Sequence, residues 1–423
     1  MTLTRRDFVK SGFTGVSLVL FSTRLSAETL FAAPGRTLVI VQLIGGNDTL
    51  NTFIPYTDPR YRAARPALAI PDASILQIDS RIGLHPSMQG LFEMYQQRKF
   101  AFITNVGFST LDRSHFRCED VWQTANEDPS VEPRGWVGRW ADLYAADPYS
   151  PAMSVGVSSK SPRGLLAQRV LPTCLVDLDS FQVEGDADPQ EAERFAISLR
   201  RIYGQKRYDA VVDAIRQQGN NAFEASDLFH ALPPPSVVIP YRDTPLAQAL
   251  KLAAQVIAGR SGSGVIWVTI GGFDTHANQV SPPSAGGSAK GSHANLLGDV
   301  SDSLTSFQRD LEQRGVADRA MVLGWSEFGR RVQENASFGT DHGKAGSVFV
   351  LGTSVRGGEW YGDGYDLADL DEGDLKPRID FRSVYATTIR DWLGGDPALV
   401  LGSTYEQLGF ISERRPRRRA VGR

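Results

Sequence analysis

The sequence is poor in cysteine, with only Cys118 and Cys174 among 423 residues. Two thiols cannot supply the ligands of a four-cysteine iron–sulfur cluster, which excludes that class of redox cofactor. They allow one disulfide in an oxidising compartment, and two buried thiols are the alternative. No Gly-x-Gly-x-x-Gly motif follows an apolar strand, so the sequence does not indicate a dinucleotide-dependent oxidoreductase.

Net charge and long apolar runs are also scarce. The net charge of −3 at pH 7 gives the whole chain no electrostatic preference for nucleic acid. No stretch is long enough to span a bilayer, so we expect no transmembrane segment in the mature protein. The one strong charge run, RRPRRR at 414–419, lies in a basic tail (411–423). We expect this tail to be solvated, and a weak contact with anionic membrane or polymer is the alternative.

The first 33 residues resemble a twin-arginine export signal. Arg5 and Arg6 precede an apolar run that Arg24 interrupts, and small residues follow at 27–33. The run is too short and too broken for a stable transmembrane helix. We therefore expect the twin-arginine translocase to be a partner during export, and the mature protein to be periplasmic or secreted.

The remaining chain alternates short apolar runs with amphipathic helical stretches. The runs are too continuously apolar for strands with one face in water, so they indicate a sheet that is covered on both faces. We predict an α/β fold over 36–410 with a mostly parallel central sheet and helices on both faces. Residues 180–235 are interpreted as a helical insertion. The predicted strands are 37–44, 100–106, 153–157, 265–270, 320–325 and 347–352.

Polar side chains that can bind metal or act in catalysis recur where these strands end. Because ligands bind beyond the carboxyl ends of strands in open α/β sheets, we expect the side chains to converge. Carboxylates and imidazoles together suit Zn²⁺ first, with Mn²⁺ or Ca²⁺ as further candidates. Each residue alone has a structural alternative: a turn residue for Asp48, a helix cap for Ser114, and packing for His115. The other histidines, His85, His230 and His293, are interpreted as structural or surface residues.

Several segments closely resemble the bacterial family named domain of unknown function 1501. They are LVIVQLIGGNDTLNTFIPYTDPRYRAARPALAIP, RSHF, GGFDTHANQ, SEFGRRVQEN and GTDHGKAGSVFVLG. The resemblance runs in order from about residue 36 to 410. More distantly, the chain is similar to the alkaline phosphatase-like superfamily, whose members are metal-dependent α/β proteins that hydrolyse or transfer phosphate or sulfate esters.

That resemblance implies a role for each candidate residue. The implied metal ligands are Asp48, Asp274, His276, Glu327 and His342. Ser114 takes the place of the nucleophile, with Thr110 in reserve, and Arg113, Arg330 and Lys344 hold the developing charge. The superfamily commonly places an Asp-His pair where Glu327 stands alone, so one imidazole is missing, and a one-metal site is the alternative to a two-metal site.

The function implied by the resemblance is an exported, metal-dependent hydrolase of phosphate or sulfate esters with a serine nucleophile. Its substrate is an anionic ester, either a small molecule or a group carried on a polymer. The alternative is a non-catalytic exported binding or assembly protein with a degenerate phosphatase-like site. A metal-free serine esterase is a third hypothesis, because GGND resembles a block of the SGNH hydrolases, but the Gly-Asp-Ser block of that fold is absent.

Overall fold

The structure is a computed structural model. It describes residues 35–412, except residue 129 and the segments 146–152, 159, 178–180, 182–188, 206–208, 233–237, 260–263, 283 and 285. The predicted export signal (1–33) therefore lies outside the described residues, as do residues 413–423 of the predicted basic tail and residues 180, 182–188, 206–208 and 233–235 of the predicted insertion.

The described strands run in chain order from β1 to β14. They are β1 (Thr37–Leu43), β2 (Phe53–Ile54), β3 (Leu76–Gln77), β4 (Gly83–Leu84), β5 (Phe100–Gly107), β6 (Ser154–Val157), β7 (Thr173–Leu175), β8 (Val265–Ile270), β9 (Ala320–Ser326), β10 (Gly346–Leu351), β11 (Trp360–Tyr361), β12 (Leu370–Asp371), β13 (Asp374–Leu375) and β14 (Ile379–Asp380). All six strands predicted from the sequence are present, with bounds within one residue of the prediction.

The described α-helices are numbered in the same way. They are α1 (Thr49–Thr52), α2 (Pro59–Ala64), α3 (Gln89–Gln96), α4 (His115–Thr124), α5 (Trp136–Tyr144), α6 (Pro189–Gly204), α7 (Ala210–His230), α8 (Pro245–Ala258), α9 (Ser292–Gln313), α10 (Phe381–Thr387) and α11 (Pro397–Leu401). A π-helical segment, Thr388–Leu393, extends α10, and short 3₁₀ turns lie at 72–74, 86–88, 163–165, 287–289 and 317–319.

Local sequence sets the ends of these helices. Asp380 caps α10 by accepting a hydrogen bond from the backbone N–H of Arg382, as its position in the sequence predicts. Gly394, at φ +72°, ends the π-helical extension, because this left-handed backbone is strained for residues that carry a Cβ. Thr244 caps α8, and Pro245 stands in the first turn, where its missing N–H costs nothing.

The central sheet contains nine of the described strands, in the order β11-β5-β10-β9-β1-β8-β6-β7, with β14 also paired to β5. β1 lies parallel to both β8 and β9, and β6 lies parallel to β7 and β8. β10 is antiparallel to its neighbours β5 and β9. The fold is therefore α/β with a mostly parallel sheet, as predicted, and β10 is the antiparallel strand within it.

Both faces of the sheet are buried, which explains the continuously apolar strands. Along β1, Leu38 and Ile40 belong to one core cluster, and Val39 and Val41 belong to the other. Side chains of α4, α5 and α10 cover the first face, and side chains of α3, α8 and α9 cover the second. Alternate residues of a strand point to opposite faces. When both faces are buried, no position faces water, and the sequence of the strand does not alternate between apolar and polar residues.

Three smaller observations complete the fold. Helices α6 and α7 lie within the predicted insertion and are joined by an exposed ion pair, Arg200 to Asp227. Cys118 and Cys174 are both free thiols rather than a disulfide. None of the described helices is both long enough and apolar enough to cross a membrane.

Candidate metal centre

The candidate site forms where five strands meet at one edge of the sheet. β1, β5, β8 and β9 point the same way, so the segments that follow them leave at the same edge. Because β10 runs in the opposite direction, the segment that enters it starts at this edge as well. The strand directions thus bring the predicted residues after β5, β8 and β9 together with those before β10.

Four side chains converge at this edge. His115, Asp274 and His342 each offer one atom to a group whose members lie within 4.8 Å of one another, a spacing that a metal ion can bridge. The Nε2 atom of His276 lies 2.9 Å from the Nε2 atom of His342 and 3.2 Å from Oδ1 of Asp274. We call these four residues the metal centre.

Each imidazole of the metal centre is oriented by an oxygen at its Nδ1 atom. His115 Nδ1 lies 2.7 Å from Glu327 Oε1, His276 Nδ1 lies 3.1 Å from Asp341 Oδ1, and His342 Nδ1 lies 2.9 Å from the Arg113 carbonyl oxygen. A carbonyl or ionised carboxylate only accepts, so each Nδ1 carries the proton and each Nε2 presents a lone pair. Oxygen acceptors behind metal-bound histidines have this arrangement.

The donor atoms fit a transition-metal ion. His115 Nε2 is buried without a hydrogen-bond partner, 3.6 Å from Asp274 Oδ2. The two Nε2 atoms of His276 and His342 face each other at 2.9 Å, where their lone pairs repel unless a cation or proton lies between them. Imidazole nitrogens with one carboxylate suit Zn²⁺, and also Mn²⁺, better than Ca²⁺, which prefers oxygen ligands alone.

The electrostatics keep Asp274 ionised. Partial burial raises its pKa, but the hydrogen bond and charge of Arg330, together with the neighbouring His342 and His276, outweigh burial and lower the pKa to about 2. The hydrogen bond to Glu327 raises the pKa of His115 against the opposing effect of burial. Burial lowers the pKa of His342. The Asp274 carboxylate is therefore charged near neutral pH.

His115 is a metal-centre residue that the ligand prediction left out. The structure places it at the first position of α4, beside the buried Glu327, where the sequence comparison found an imidazole missing. The signal was present in RSHF, since His115 directly follows the predicted nucleophile at a helix start. What the sequence did not show is that α4 turns this ring toward the end of β9.

Glu327 was predicted to be a ligand, and the structure corrects this prediction. Its side chain is fully buried: Oε1 accepts from the Gly45 N–H and from His115, and Oε2 accepts from the hydroxyl of Ser326. These contacts place Glu327 behind His115, where it orients the ring and does not face the metal centre.

Arg330 was predicted to hold charge on the substrate, and this prediction is wrong. Its side chain is fully buried. Its guanidinium donates to the carbonyls of Gly45, Gly46, Phe273 and Thr340, and to Asp274 Oδ1 at 2.6 Å. No donor faces an incoming ester, so Arg330 instead fixes the turn after β1, the end of β8 and the orientation of Asp274.

Asp48 was also predicted to be a ligand, and the structure gives it another partner. It forms a fully buried ion pair with Arg65, with distances of 2.6 and 2.9 Å to the two carboxylate oxygens. The amide of Gln279 donates to Oδ2 as well. A second cation at these oxygens would meet the guanidinium charge, so Asp48 does not belong to the metal centre.

Ser114 lies between two residues that contact the metal centre. The carbonyl of Arg113 accepts from His342, and His115 follows at the first position of α4. The Ser114 hydroxyl makes no capping hydrogen bond, although Ser114 occupies the cap position. The reserve candidate, Thr110, donates its hydroxyl to Glu127 at 2.5 Å. Ser114 therefore remains the predicted nucleophile.

Arg113 and Lys344 flank the metal centre, but acidic partners hold both. Arg113 pairs with Asp374 at 2.5 Å, and Lys344 pairs with Asp371 at 2.5 Å. Neither cation touches a metal-centre side chain through its own charged group in the described contacts. Their predicted action on substrate charge requires a substrate to share these cations with their acidic partners or to displace a partner.

Glycine at position 45 permits the close packing of the site. Gly45 has φ +121°, a backbone conformation that is strained for any residue with a side chain. A Cβ atom at this position would lie 2.3 Å from the backbone nitrogen of Asp274. The turn after β1 can therefore support Asp274 only because residue 45 has no side chain.

Two buried histidines lie behind Asp48. His293 donates toward Asn47 Oδ1 at 3.0 Å, and its ring meets that of His85 edge-on at 6.1 Å between centroids. Burial, opposed by the charge of Asp48 and assisted by the charges of Arg65 and Arg330, lowers the pKa of His293 to about 4. Burial and His293 lower the pKa of His85 to about 3. Both rings are neutral in the folded protein.

The lowered pKa values of His85 and His293 predict that the folded protein loses stability in mild acid. Their folded pKa values lie below the unfolded value of about 6.5, so the unfolded chain binds more protons between pH 6.5 and 4. The unfolding free energy therefore falls as the pH falls through this window. We expect His293→Gln to reduce the loss between pH 7 and pH 5 by on the order of 1–2 kcal/mol in urea titrations. His230→Gln, on the exposed end of α7, is the control; an equal effect there would contradict the prediction.

A family model matches more than half of the chain. The model described as "Protein of unknown function (DUF1501)" matches residues 134–387. This segment is shorter than the resemblance over 36–410, and it contains Asp274, His276, Glu327 and His342 but not Ser114 or His115. No curated protein sequence matches the chain at a significant level.

Solved structures with low sequence identity are similar to the chain. The PsFucS1 sulfatase from Pseudoalteromonas sp. is 8% identical over 96% of this chain and 78% of that chain, with a TM-score of 0.38. The C-terminal periplasmic domain of EcEptC from Escherichia coli is 11% identical over 88% and 87%, with a TM-score of 0.38. The lipoteichoic acid synthase LtaP from Listeria monocytogenes is 10% identical over 95% and 80%, with a TM-score of 0.34. At TM-scores below 0.5, no activity or substrate follows from these likenesses.

Proposed function

The chain belongs to the DUF1501 family of proteins of unknown function, and from its metal centre we propose that it is a metal-dependent hydrolase of phosphate or sulfate esters. The observation that carries the proposal is the arrangement of His115, His276 and His342. Their Nδ1 atoms are held by oxygens, and their Nε2 atoms face Asp274 or one another.

The ligands in this proposal are His115, Asp274, His276 and His342, with Zn²⁺ the best-suited ion and Mn²⁺ the next. A divalent ion bound there supplies positive charge that polarises an ester oxygen and favours an ionised nucleophile. Glu327 and Asp341 keep the rings of His115 and His276 in the ligating tautomer. Arg330 holds Asp274 in place, so the protein fixes the donors before a substrate arrives.

Ser114 is the nucleophile in this proposal. Its oxygen forms a bond to phosphorus or sulfur while the bond to the ester oxygen breaks, and the electron pair leaves on that oxygen. The hydroxyl proton ends on the departing alcohol, and water then cleaves the serine ester, which frees phosphate or sulfate. Ser114 stands before α4, whose N-terminal end favours negative charge.

Export is part of the proposal and is supported by Arg5 and Arg6 in the first 33 residues. The twin-arginine route carries folded proteins, which suits a protein that acquires its metal before it crosses the membrane. The substrate is then an anionic ester outside the cytoplasm. Recovery of the protein only from the cytoplasm after cell fractionation would count against this part.

The test combines metal analysis with an ester assay. We expect purified wild-type protein, loaded with Zn²⁺ or Mn²⁺, to retain about one ion per chain and to hydrolyse p-nitrophenyl phosphate or p-nitrophenyl sulfate. His342→Ala should lose both properties. His230→Ala, at the exposed end of α7, should keep both. A wild-type protein that retains no ion after loading would refute the proposal.

A second candidate is a non-catalytic binding or assembly protein, and the Asp48–Arg65 ion pair favours it. That pair removes from the site the carboxylate that the resemblance assigns to metal binding. A metal-loaded protein that binds phosphate or sulfate but turns over neither ester would establish this candidate.

A further inference from the structure

Three cations border the metal centre on the side of a short hairpin. The hairpin pairs β12 with β13 and turns at Glu372 and Gly373. We call residues 371–374 the acidic hairpin, because three of the four are Asp371, Glu372 and Asp374. The cations that face it are Arg113, Arg331 and Lys344.

The cations are tied to the metal centre through the backbone. Arg113 accepts a hydrogen bond from the His342 ring at its carbonyl oxygen, and Lys344 is two residues beyond His342. The backbone N–H of Arg331 donates to the carbonyl of Asp341. Arg113 and Lys344 therefore belong to the segments that carry His115 and His342, and their charged groups contact the acidic hairpin.

The acidic hairpin holds these cations by two kinds of contact. Asp374 has a fully buried side chain and receives two hydrogen bonds from Arg113, at 2.9 and 2.5 Å. Glu372 is 69% exposed, and a single oxygen, Oε2, lies 3.2 Å from Arg113 Nη2 and 3.8 Å from Lys344 Nζ. Asp374 is thus a fixed partner, whereas Glu372 is a solvent-exposed one.

Exposed ion pairs contribute little to stability, so an anion with better geometry can replace Glu372. A tetrahedral oxyanion presents several oxygens, and a guanidinium with an adjacent ammonium group matches it well. Asp374 would keep Arg113 in position during the exchange. The carboxylate of Glu372 occupies the place where such an oxyanion would contact both cations.

We propose that Arg113 and Lys344 form an oxyanion subsite beside the metal centre. Glu372 fills this subsite in the free protein, and the phosphate or sulfate group of a bound ligand displaces Glu372. The identity of the oxyanion rests on the proposed function. The subsite explains how two fully paired cations serve an anionic ester, and it makes Glu372 a residue that weakens ligand binding.

The test measures binding of inorganic phosphate, and separately of sulfate, by titration calorimetry. Each protein is measured after removal of metal by a chelator and again after loading with Zn²⁺. We expect Glu372→Gln to lower the phosphate Kd by about threefold to tenfold in both states. Lys344→Gln should raise the Kd, and in that background Glu372→Gln should have a smaller effect, because only Arg113 is then left for Glu372 to occupy.

The matched control is Asp369→Asn, which removes the same charge from an exposed acid that pairs with Lys376 and Arg378. Its Kd should equal that of the wild type. An unchanged Kd in Glu372→Gln, or an equal fall in Asp369→Asn, would overturn the subsite. If the Glu372 effect is present in metal-free protein but no ester is hydrolysed, the subsite stands and the hydrolase proposal fails. If esters are hydrolysed without a Glu372 effect, the subsite alone fails.

Discussion

Ser114→Ala is expected to lower kcat for ester hydrolysis by about a thousandfold or more, which corresponds to roughly 4 kcal/mol of transition-state stabilisation. The substitution removes the attacking oxygen. It breaks no capping hydrogen bond of the helix, because the Ser114 hydroxyl makes none. Bound metal should stay at the wild-type level, because the ligand residues and the oxygens behind them are unchanged. Metal analysis and steady-state kinetics on the same preparation check both statements.

Thr110→Val is the matched control for this prediction, since Thr110 is the other hydroxyl that the sequence offers near the start of α4. Its hydroxyl is engaged by Glu127, so its removal should leave kcat within about a factor of two. A thousandfold loss in Thr110→Val instead would transfer the nucleophile to that residue. Full activity in Ser114→Ala with metal retained would show that water attacks the ester directly.

The sheet was predictable because its strands are apolar on both faces. Residues such as Leu38, Val39 and Ile40 follow one another in β1, and each enters one of the two cores. A continuous apolar run bounded by glycine is a local signal, so the strand bounds could be found without tertiary contacts. The direction of β10 could not be found in this way, because strand polarity depends on the partners that a strand acquires on folding.

Part of the metal centre was also predictable, because three of its residues lie next to strands that the sequence reveals. Asp274, His276 and His342 adjoin strands, and the ends of these strands lie at the edge of the sheet where ligands bind in open α/β folds. The roles of Glu327 and Arg330 were wrong because the sequence shows residue type but not burial. Glu327 is fully buried behind His115, and the Arg330 guanidinium donates hydrogen bonds to backbone carbonyls. His115 was missed as a ligand because it reaches the centre from a helix.

Asp48 shows most clearly what the sequence alone does not reveal about a candidate ligand. A carboxylate directly after the first strand fits a ligand position, and nothing local contradicts that interpretation. The partner that neutralises it is Arg65, seventeen residues later and just beyond α2. Whether an aspartate meets an arginine or a metal ion is decided by this tertiary contact, and an isolated motif does not encode it.

The second prediction concerns this pair. Arg65→Met is expected to lower the unfolding free energy by about 3–5 kcal/mol, because it leaves the Asp48 carboxylate buried without a cation. The Arg65 guanidinium also donates to Asn51 and to the carbonyls of Arg331 and Val332, which lose a buried donor. Urea unfolding followed by tryptophan fluorescence measures the change as a shift of the midpoint.

Two comparisons make this prediction specific. Arg60→Met removes an arginine from the exposed ion pair with Asp58 and should cost less than about 1 kcal/mol. The double variant Asp48→Asn, Arg65→Met should recover part of the loss, since no charge is then left unpaired. Asp48→Asn alone should retain the bound metal if Asp48 lies outside the metal centre. Loss of metal in that variant would return Asp48 to the ligand set and would show that Arg65 gives way when the ion binds.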